Sequence, residues 1–186
     1  MKILMTAFDP FGGDTKNAAM VAVENAKAPA GAQLVKVLVP TVFGLAAEKL
    51  HEAICAEDPD VVVCVGEASL GSPVTPERVA INVMDARIPD NAGNQPVDQP
   101  VFADGPAAYF TKLPIKAMVD SMKAAGFNAA VSNSAGTFVC NSLMYSLLYF
   151  IDREFPQLRG GFIHVPADRD GSPTSGNAIT EALKVL

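Results

Sequence analysis

DVVVCVG, residues 60–66, is a near-continuous apolar run, rich in valine and closed by a glycine. A strand with one wet face alternates apolar and polar residues. This run does not, so it predicts a parallel strand covered on both faces by helices. Upstream, residues 44–56 place Ala46, Leu50, Ala53 and Ile54 at helical spacing, and QLVKVLVP (33–40) alternates as a strand. Residues 17–27 suit a helix with Asn17 as N-cap, and KILMTAF (2–8) is a strand running into the turn-rich DPFGGD. Downstream, RVAINVMDA (78–86) and NAAVSNS (128–134) read as strands, and residues 114–125 as a helix with Pro114 at its start and Gly126 at its end. Residues 138–151 predict a buried helix, GGFIHVP (160–166) a short strand, and residues 177–186 a closing helix. Strands alternating with helices predict an α/β fold. The expected form is one domain over residues 1–186, a three-layer α/β/α sandwich with a largely parallel, twisted central sheet. Residues 87–106, rich in Pro, Gly, Asn and Asp, lack a period. A loop that long in a compact domain is expected to be functional or interfacial.

Composition narrows the function classes. The 186 residues carry 14 Lys and Arg against 20 Asp and Glu, a net charge of −6. Such a chain lacks the basic footprint of a nucleic-acid binder. Charged residues make up 18%, below the usual ~25%, which points toward an oligomer. The longest mostly apolar stretch, SLMYSLLYFI (142–151), is about half a membrane span. The N-terminal MKILMTAFDPF is too short in apolar residues for a secretory signal. Cys55, Cys64 and Cys140 are odd in number and widely spaced, with no zinc pattern. The expectation is a reduced, cytoplasmic protein that binds no membrane, no nucleic acid, no metal and no cofactor.

Reactive side chains are few. His51 sits on the charged side of a helix and reads as a surface residue; Cys64, inside an apolar strand, reads as an inert hydrophobe, and Cys55 carries nothing distinctive. Two residues stand apart. Cys140 follows a strand exit and opens a helix, where unpaired N–H groups and the positive dipole end favour a thiolate. His164 ends a strand, where it is either a satisfied core histidine or a catalytic base. A third group would orient the imidazole, and Glu77, Asp85, Asp90 and Asp98 compete for that role. Arg78 and Arg87 are both available near an oxyanion. Phe8 and Phe11 flank a tight turn and read as an apolar lip or as core. GGDTK after the first strand is neither a P-loop nor a dinucleotide fingerprint.

These residues lie in blocks that resemble a known family. FDPFGG (8–13), VPTVF (39–43), TPERVAIN (75–82), DARIPDNAGNQP (85–96), DGPAAYF (104–110), LPIKAMV (113–119), SNSAGTFVCN (132–141) and RGGFIHVP (159–166) occur in order along the whole chain. They resemble the pyroglutamyl peptidase I family of cysteine peptidases, also called pyrrolidone carboxyl peptidases. The resemblance implies a Glu77, Cys140, His164 triad and an Arg87 near the oxyanion. It implies a ring pocket of Phe8, Phe11, Phe138, Val139 and Ile88, with Glu67 where a pocket glutamine is expected. It also implies a single α/β/α domain, a homotetramer, and N-terminally pyroglutamyl-blocked peptides as substrates, cleaved through a thioester.

The chain departs from the family text in places. VGEASLG (65–71) stands where VGQAGGR is usual, so Ser69, Leu70 and Gly71 replace Gly-Gly-Arg. An ionised Glu67 accepts hydrogen bonds but cannot donate to a lactam carbonyl. ADRDG (167–171) lacks the usual Tyr and Gln, and Ala7 and Ala18 replace a Gly and a Pro. Two other readings stand beside an active pyroglutamyl peptidase. One is a related thiol hydrolase selecting a different N-terminal group. The other is a binding protein that keeps the pocket without turnover.

Overall fold

The computed structural model describes residues 1–168 and 172–186. Strand β1 (Lys2–Phe8) leads to helix α1 (Ala18–Asn25), then β2 (Gln33–Val39), α2 (Leu45–Glu57) and β3 (Val61–Glu67). There follow β4 (Thr75–Pro76), β5 (Val79–Ile81), β6 (Ala108–Phe110), α3 (Ile115–Ala124), α4 (Val139–Arg153), β7 (Arg159–Val165) and α5 (Thr174–Leu183). The main sheet has the order β2-β1-β3-β7-β4. All of its pairings are parallel except that of β4 with β7.

Side-chain alternation explains the layers. Ile3, Met5, Val61, Val63 and Val65 point to one face and pack with α1, α3 and α5. Leu4, Phe8, Val62, Cys64 and Phe162 point to the other and pack with α2 and α4. The run at 60–66 is therefore apolar at every position because both of its faces are covered. Asn17 caps α1 as expected: its side-chain oxygen accepts from the Ala19 N–H at 2.9 Å.

The chain leaves β1 for β2 on one side and crosses back to β3 on the other. The two connecting helices lie on opposite faces. This reversal opens a crevice beyond the carboxyl ends of β1 and β3, where ligands bind in folds of this type. The turn carrying Phe11 and the end of β3 at Glu67 border it.

Three expectations need correction. Residues 78–86 are not one strand. Only Thr75–Pro76 joins the main sheet, while Val79–Ile81 pairs with Ala108–Phe110 in a separate two-stranded sheet. Residues 128–134 form no strand and touch their neighbours through single bridges, Val74 to Ala129 and Glu77 to Ser132. Pro73 and Pro76 supply no N–H, which interrupts any continuous ladder there. The last helix begins at Thr174 rather than at 177. The expected loop at 87–106 holds neither helix nor strand.

Candidate active site

Cys140 is the second residue of α4, and that helix begins without a side-chain cap. The first helical bond runs from the Ser142 N–H to the Phe138 carbonyl. The N–H groups of residues 139–141 thus have no intrahelical partner, as at any helix start. They form a ready site for negative charge beside the sulfur. Asn141, buried in the same turn, accepts from the Ile81 N–H at 3.0 Å and donates to the Ile81 and Val83 carbonyls at 2.9 and 3.0 Å. Those bonds tie the start of α4 to β5.

His164 is the next-to-last residue of β7, opposite Gly66 of β3 and Thr75 of β4. It is buried. Its Nδ1 lies 2.7 Å from Glu77 Oε1, and Cys140 is the second side chain that acts on the ring. Burial disfavours the charged ring, but Cys140 and Glu77 together outweigh it and hold its pKa up, at about 10. Glu77 is 1% exposed, and its Oε2 has no hydrogen-bond partner among the described residues. A buried carboxylate with one partner needs that partner charged, which again favours the imidazolium.

Close packing sets the sulfur's place. A Cβ built on Gly66 would lie 2.9 Å from Cys140 Sγ and 2.7 Å from the Phe162 ring. Only glycine leaves room there for Cys140 to approach β3.

Beside the sulfur lies a pocket of about 270 Å³, lined by Phe8, Phe11, Thr41, Glu67, Phe138 and Cys140 among others. Phe11 and Phe138 face each other with centroids 5.4 Å apart, and Phe138 meets Phe43 edge-on at 5.3 Å. Phe8 serves both roles offered by its sequence position: it is buried against Phe162 and also lines the pocket. Glu67 lines the pocket too, and its Oε2 accepts from the Ala18 N–H at 2.7 Å at the start of α1. A larger cavity of about 660 Å³ lies between α2, α4 and the 84–102 segment, but no cysteine lines it.

The structure thus brings together Glu77, Cys140, His164, Phe8, Phe11, Glu67 and Phe138. Three expected contacts are not among the pocket-lining residues. The Val139 side chain is fully buried in the core below α4, because one residue after Phe138 the helix has turned it inward. Arg87 and Ile88 lie exposed on the following loop. Arg169, Asp170 and Gly171 of the ADRDG departure fall outside the described residues.

The other reactive groups sort as follows. Cys64 is buried, and its thiol is pushed up to about 12, chiefly by that burial. His51 is less free than its helix position suggests: Nε2 lies 2.8 Å from Glu154, and the ring meets Phe150 and Phe155. Asp90, a competitor for the imidazole, spends its carboxylate on loop N–H groups. Sequence reasoning missed Thr41 and Asn17 as pocket residues and Gly66 as a packing constraint. Asn17 was visible as a cap, whereas nothing local marks the other two.

A family model described as pyroglutamyl peptidase matches residues 1–170. The pyrrolidone-carboxylate peptidase of Levilactobacillus brevis is 55% identical over 198 residues, covering 100% of this chain and 97% of the relative. That of Enterococcus faecalis is 56% identical over 167 residues, covering 89% of this chain and 78% of the relative. The crystal structure of Bacillus amyloliquefaciens pyroglutamyl peptidase I superposes with a TM-score of 0.89 at 49% identity, covering 99% of this chain and 93% of that one. The Thermococcus litoralis pyrrolidone carboxyl peptidase gives 0.92 at 34% identity, covering 99% and 92%. A thiol at a helix start, an imidazole anchored by a buried glutamate and an aromatic pocket beside them are thus carried by a chain that matches these proteins over most of its length, and the chain belongs to the pyroglutamyl peptidase family.

Proposed function

We propose that the protein is a thiol-dependent peptidase that removes N-terminal pyroglutamate from peptides through a thioester. One observation carries this reading: the Cys140–His164–Glu77 relay opens onto the aromatic pocket. A pyroglutamyl residue is a small lactam with no free α-amine. A pocket walled by Phe8, Phe11 and Phe138, with the polar groups of Thr41 and Glu67 in its lining, suits it where an amine-anchoring site does not.

The steps follow from the geometry. Cys140 gives its thiol proton to His164 and attacks the carbonyl that joins pyroglutamate to the next residue. The developing oxyanion faces the unpaired N–H groups at the start of α4, a type of contact whose loss typically costs about 3–4 kcal/mol in the barrier. His164 passes its proton to the leaving amine, and the C–N bond breaks to leave a thioester on Cys140. Glu77 holds the ring through Nδ1 and compensates its charge. Water, deprotonated by His164, then hydrolyses the thioester, releasing pyroglutamate and restoring the thiol.

The same reading includes a single domain over residues 1–186, a cytoplasmic location and a homotetramer. Unpaired cysteines suit a reducing compartment. Exposed Leu38, Val97 and Phe110 leave apolar surface for a neighbouring subunit.

The test is release of a fluorescent amine from pyroglutamyl, prolyl and acetylated amides under reducing conditions, with and without iodoacetamide. Release from the pyroglutamyl amide alone, stopped by iodoacetamide, is expected. Preference for another blocked substrate favours a related thiol hydrolase. Binding of pyroglutamate without any turnover favours a non-catalytic role.

A further inference from the structure

Much of DARIPDNAGNQP is not used by the chemistry above. We propose that Asp90 and Asn91 are positioning residues for the acyl-group pocket, locking the turn that carries Phe11 to the β2–α2 junction that carries Thr41 and Phe43. The inference rests on the functional reading given above.

The lock has two halves. Asp90 is 6% exposed, and its carboxylate accepts four N–H bonds. These come from the Phe43 backbone at 2.9 Å, Ala92 at 2.9 Å, Asn94 at 2.8 Å and the Asn94 side chain at 3.0 Å. The three bonds from Ala92 and Asn94 fold the loop around the carboxylate. The fourth pins Phe43, whose ring backs Phe138 in the pocket wall.

Asn91 makes the other half. Its side-chain NH2 donates to Asp9 Oδ1 at 3.2 Å and to the Pro10 carbonyl at 2.9 Å, and its backbone N–H donates to the Thr41 carbonyl at 3.1 Å. Asp9 Oδ1 also accepts from the Thr41 N–H at 2.7 Å. One carboxylate oxygen therefore joins the Phe11 turn, the 90–91 loop and the end of β2.

The turn is also held at Asp9, whose N–H donates to the Val39 carbonyl and whose carbonyl accepts from the Asn17 and Thr41 side chains, but the Asn91 amide reaches Pro10, next to Phe11. Gly12 and Gly13 adopt positive φ, and a Cβ on either would meet nothing within 4 Å. Phe11 sits between this open tip and Pro10, so its distance from Phe138 depends on how Pro10 is held. Chemistry also explains why residue 91 is an amide. An aspartate there has no donor and sets a second carboxylate against Asp9 and the Pro10 carbonyl. None of these groups touches Cys140 or His164, so the lock acts on ring binding and not on the thiol.

The experiment compares wild type, Asn91→Asp, Asn91→Ala and the exchanged pair Asp9→Asn/Asn91→Asp. Steady-state hydrolysis of a fluorogenic pyroglutamyl amide is combined with alkylation of Cys140 by iodoacetamide, followed peptide by peptide with and without 2-pyrrolidinone. Asn91→Asp is expected to raise KM about tenfold or more, the scale of one charge-assisted hydrogen bond, with kcat changed less than about threefold. Its unprotected alkylation rate stays near that of wild type, while protection by the lactam weakens in step with KM. Asn91→Ala shifts both readouts the same way by less. In the exchanged pair the amide and the carboxylate trade places. Because one Asp9 oxygen serves both Thr41 and Asn91, the new amide turns either its NH2 to the loop carboxylate or its oxygen to the Thr41 N–H, so only part of the affinity returns. A general loss of structure is not rescued this way. The positioning role is overturned if Asn91→Asp keeps wild-type KM and protection, or if kcat and alkylation fall while KM holds. Wild-type protein that neither cleaves the amide nor is protected by the lactam overturns the functional reading and the inference with it.

Discussion

Replacing Gly66 with alanine tests whether the sulfur is held where catalysis needs it. Gly66 lies in β3 and its φ is outside the left-handed region, so alanine suits the backbone. The consequence is steric. The new Cβ would lie 2.7 and 2.9 Å from two Phe162 ring atoms and 2.9 Å from Cys140 Sγ. Carbon contacts settle at about 3.5–4.0 Å, so something must move by roughly 0.6–1.3 Å. Phe162 is fully buried and its ring centroid is 4.8 Å from that of His164, so it can yield only into the relay itself. The Cys140 side chain, partly exposed, yields more easily. A misplacement of ~1 Å costs ~100-fold in rate, or about 2.7 kcal/mol in the barrier. Overpacking adds roughly 1–3 kcal/mol of lost stability. Kinetics on a pyroglutamyl amide should therefore show kcat down by about two orders of magnitude with KM little changed, because the atoms nearest the new Cβ belong to neither Phe11 nor Phe138. Urea unfolding on the same samples separates lost chemistry from lost fold. A folded Gly66→Ala protein with kcat within about threefold of wild type would refute the reasoning.

Three further outcomes follow from the site. Glu77→Gln keeps the shape but removes the charge, so His164 is held up by Cys140 alone. The alkaline limb of kcat/KM, expected near pH 10 where the imidazolium loses its proton, then moves to lower pH, and a pH profile that does not move contradicts the relay. Glu67→Ala removes the acceptor for the Ala18 N–H and should lower stability in urea by about 1 kcal/mol; Glu67→Gln keeps an acceptor and should cost distinctly less. Asn141→Ala strands the Ile81 N–H and two carbonyls in a buried site, so unfolding in denaturant should report a loss on the order of 3 kcal/mol, with an activity loss because β5 and the start of α4 separate.

What the residues disclosed, and what they hid, has a physical pattern. The layers were legible because burial on both faces leaves a run such as 60–66 without polar residues, and because a cap such as Asn17 acts within two residues of itself. Cys140 and His164 were legible by position, at a helix start and at a strand end. Glu77 was not separable from Asp85, Asp90 and Asp98 by composition. The choice came from the family resemblance, and the structure shows Asp90 committed to backbone donors of its own loop and of Phe43. The strand expected at 78–86 failed because sheet membership depends on partners distant in sequence, and prolines at 73 and 76 withhold donors from them. The same reason hides Gly66, whose constraint comes from atoms on α4 and β7. Val139 was expected in the pocket from the family resemblance, whereas one step along the helix from Phe138 its side chain turns into the core.

The central claim is that Cys140 carries the pyroglutamyl group as a thioester. It is tested most directly by acid-quenching the enzyme during turnover of an activated pyroglutamyl ester and mapping the product by mass spectrometry. The account predicts one pyroglutamyl acyl group on the peptide containing Cys140, absent from Cys55 and Cys64 and absent after iodoacetamide treatment. Continued hydrolysis by Cys140→Ser, or an acyl group found elsewhere, would contradict it.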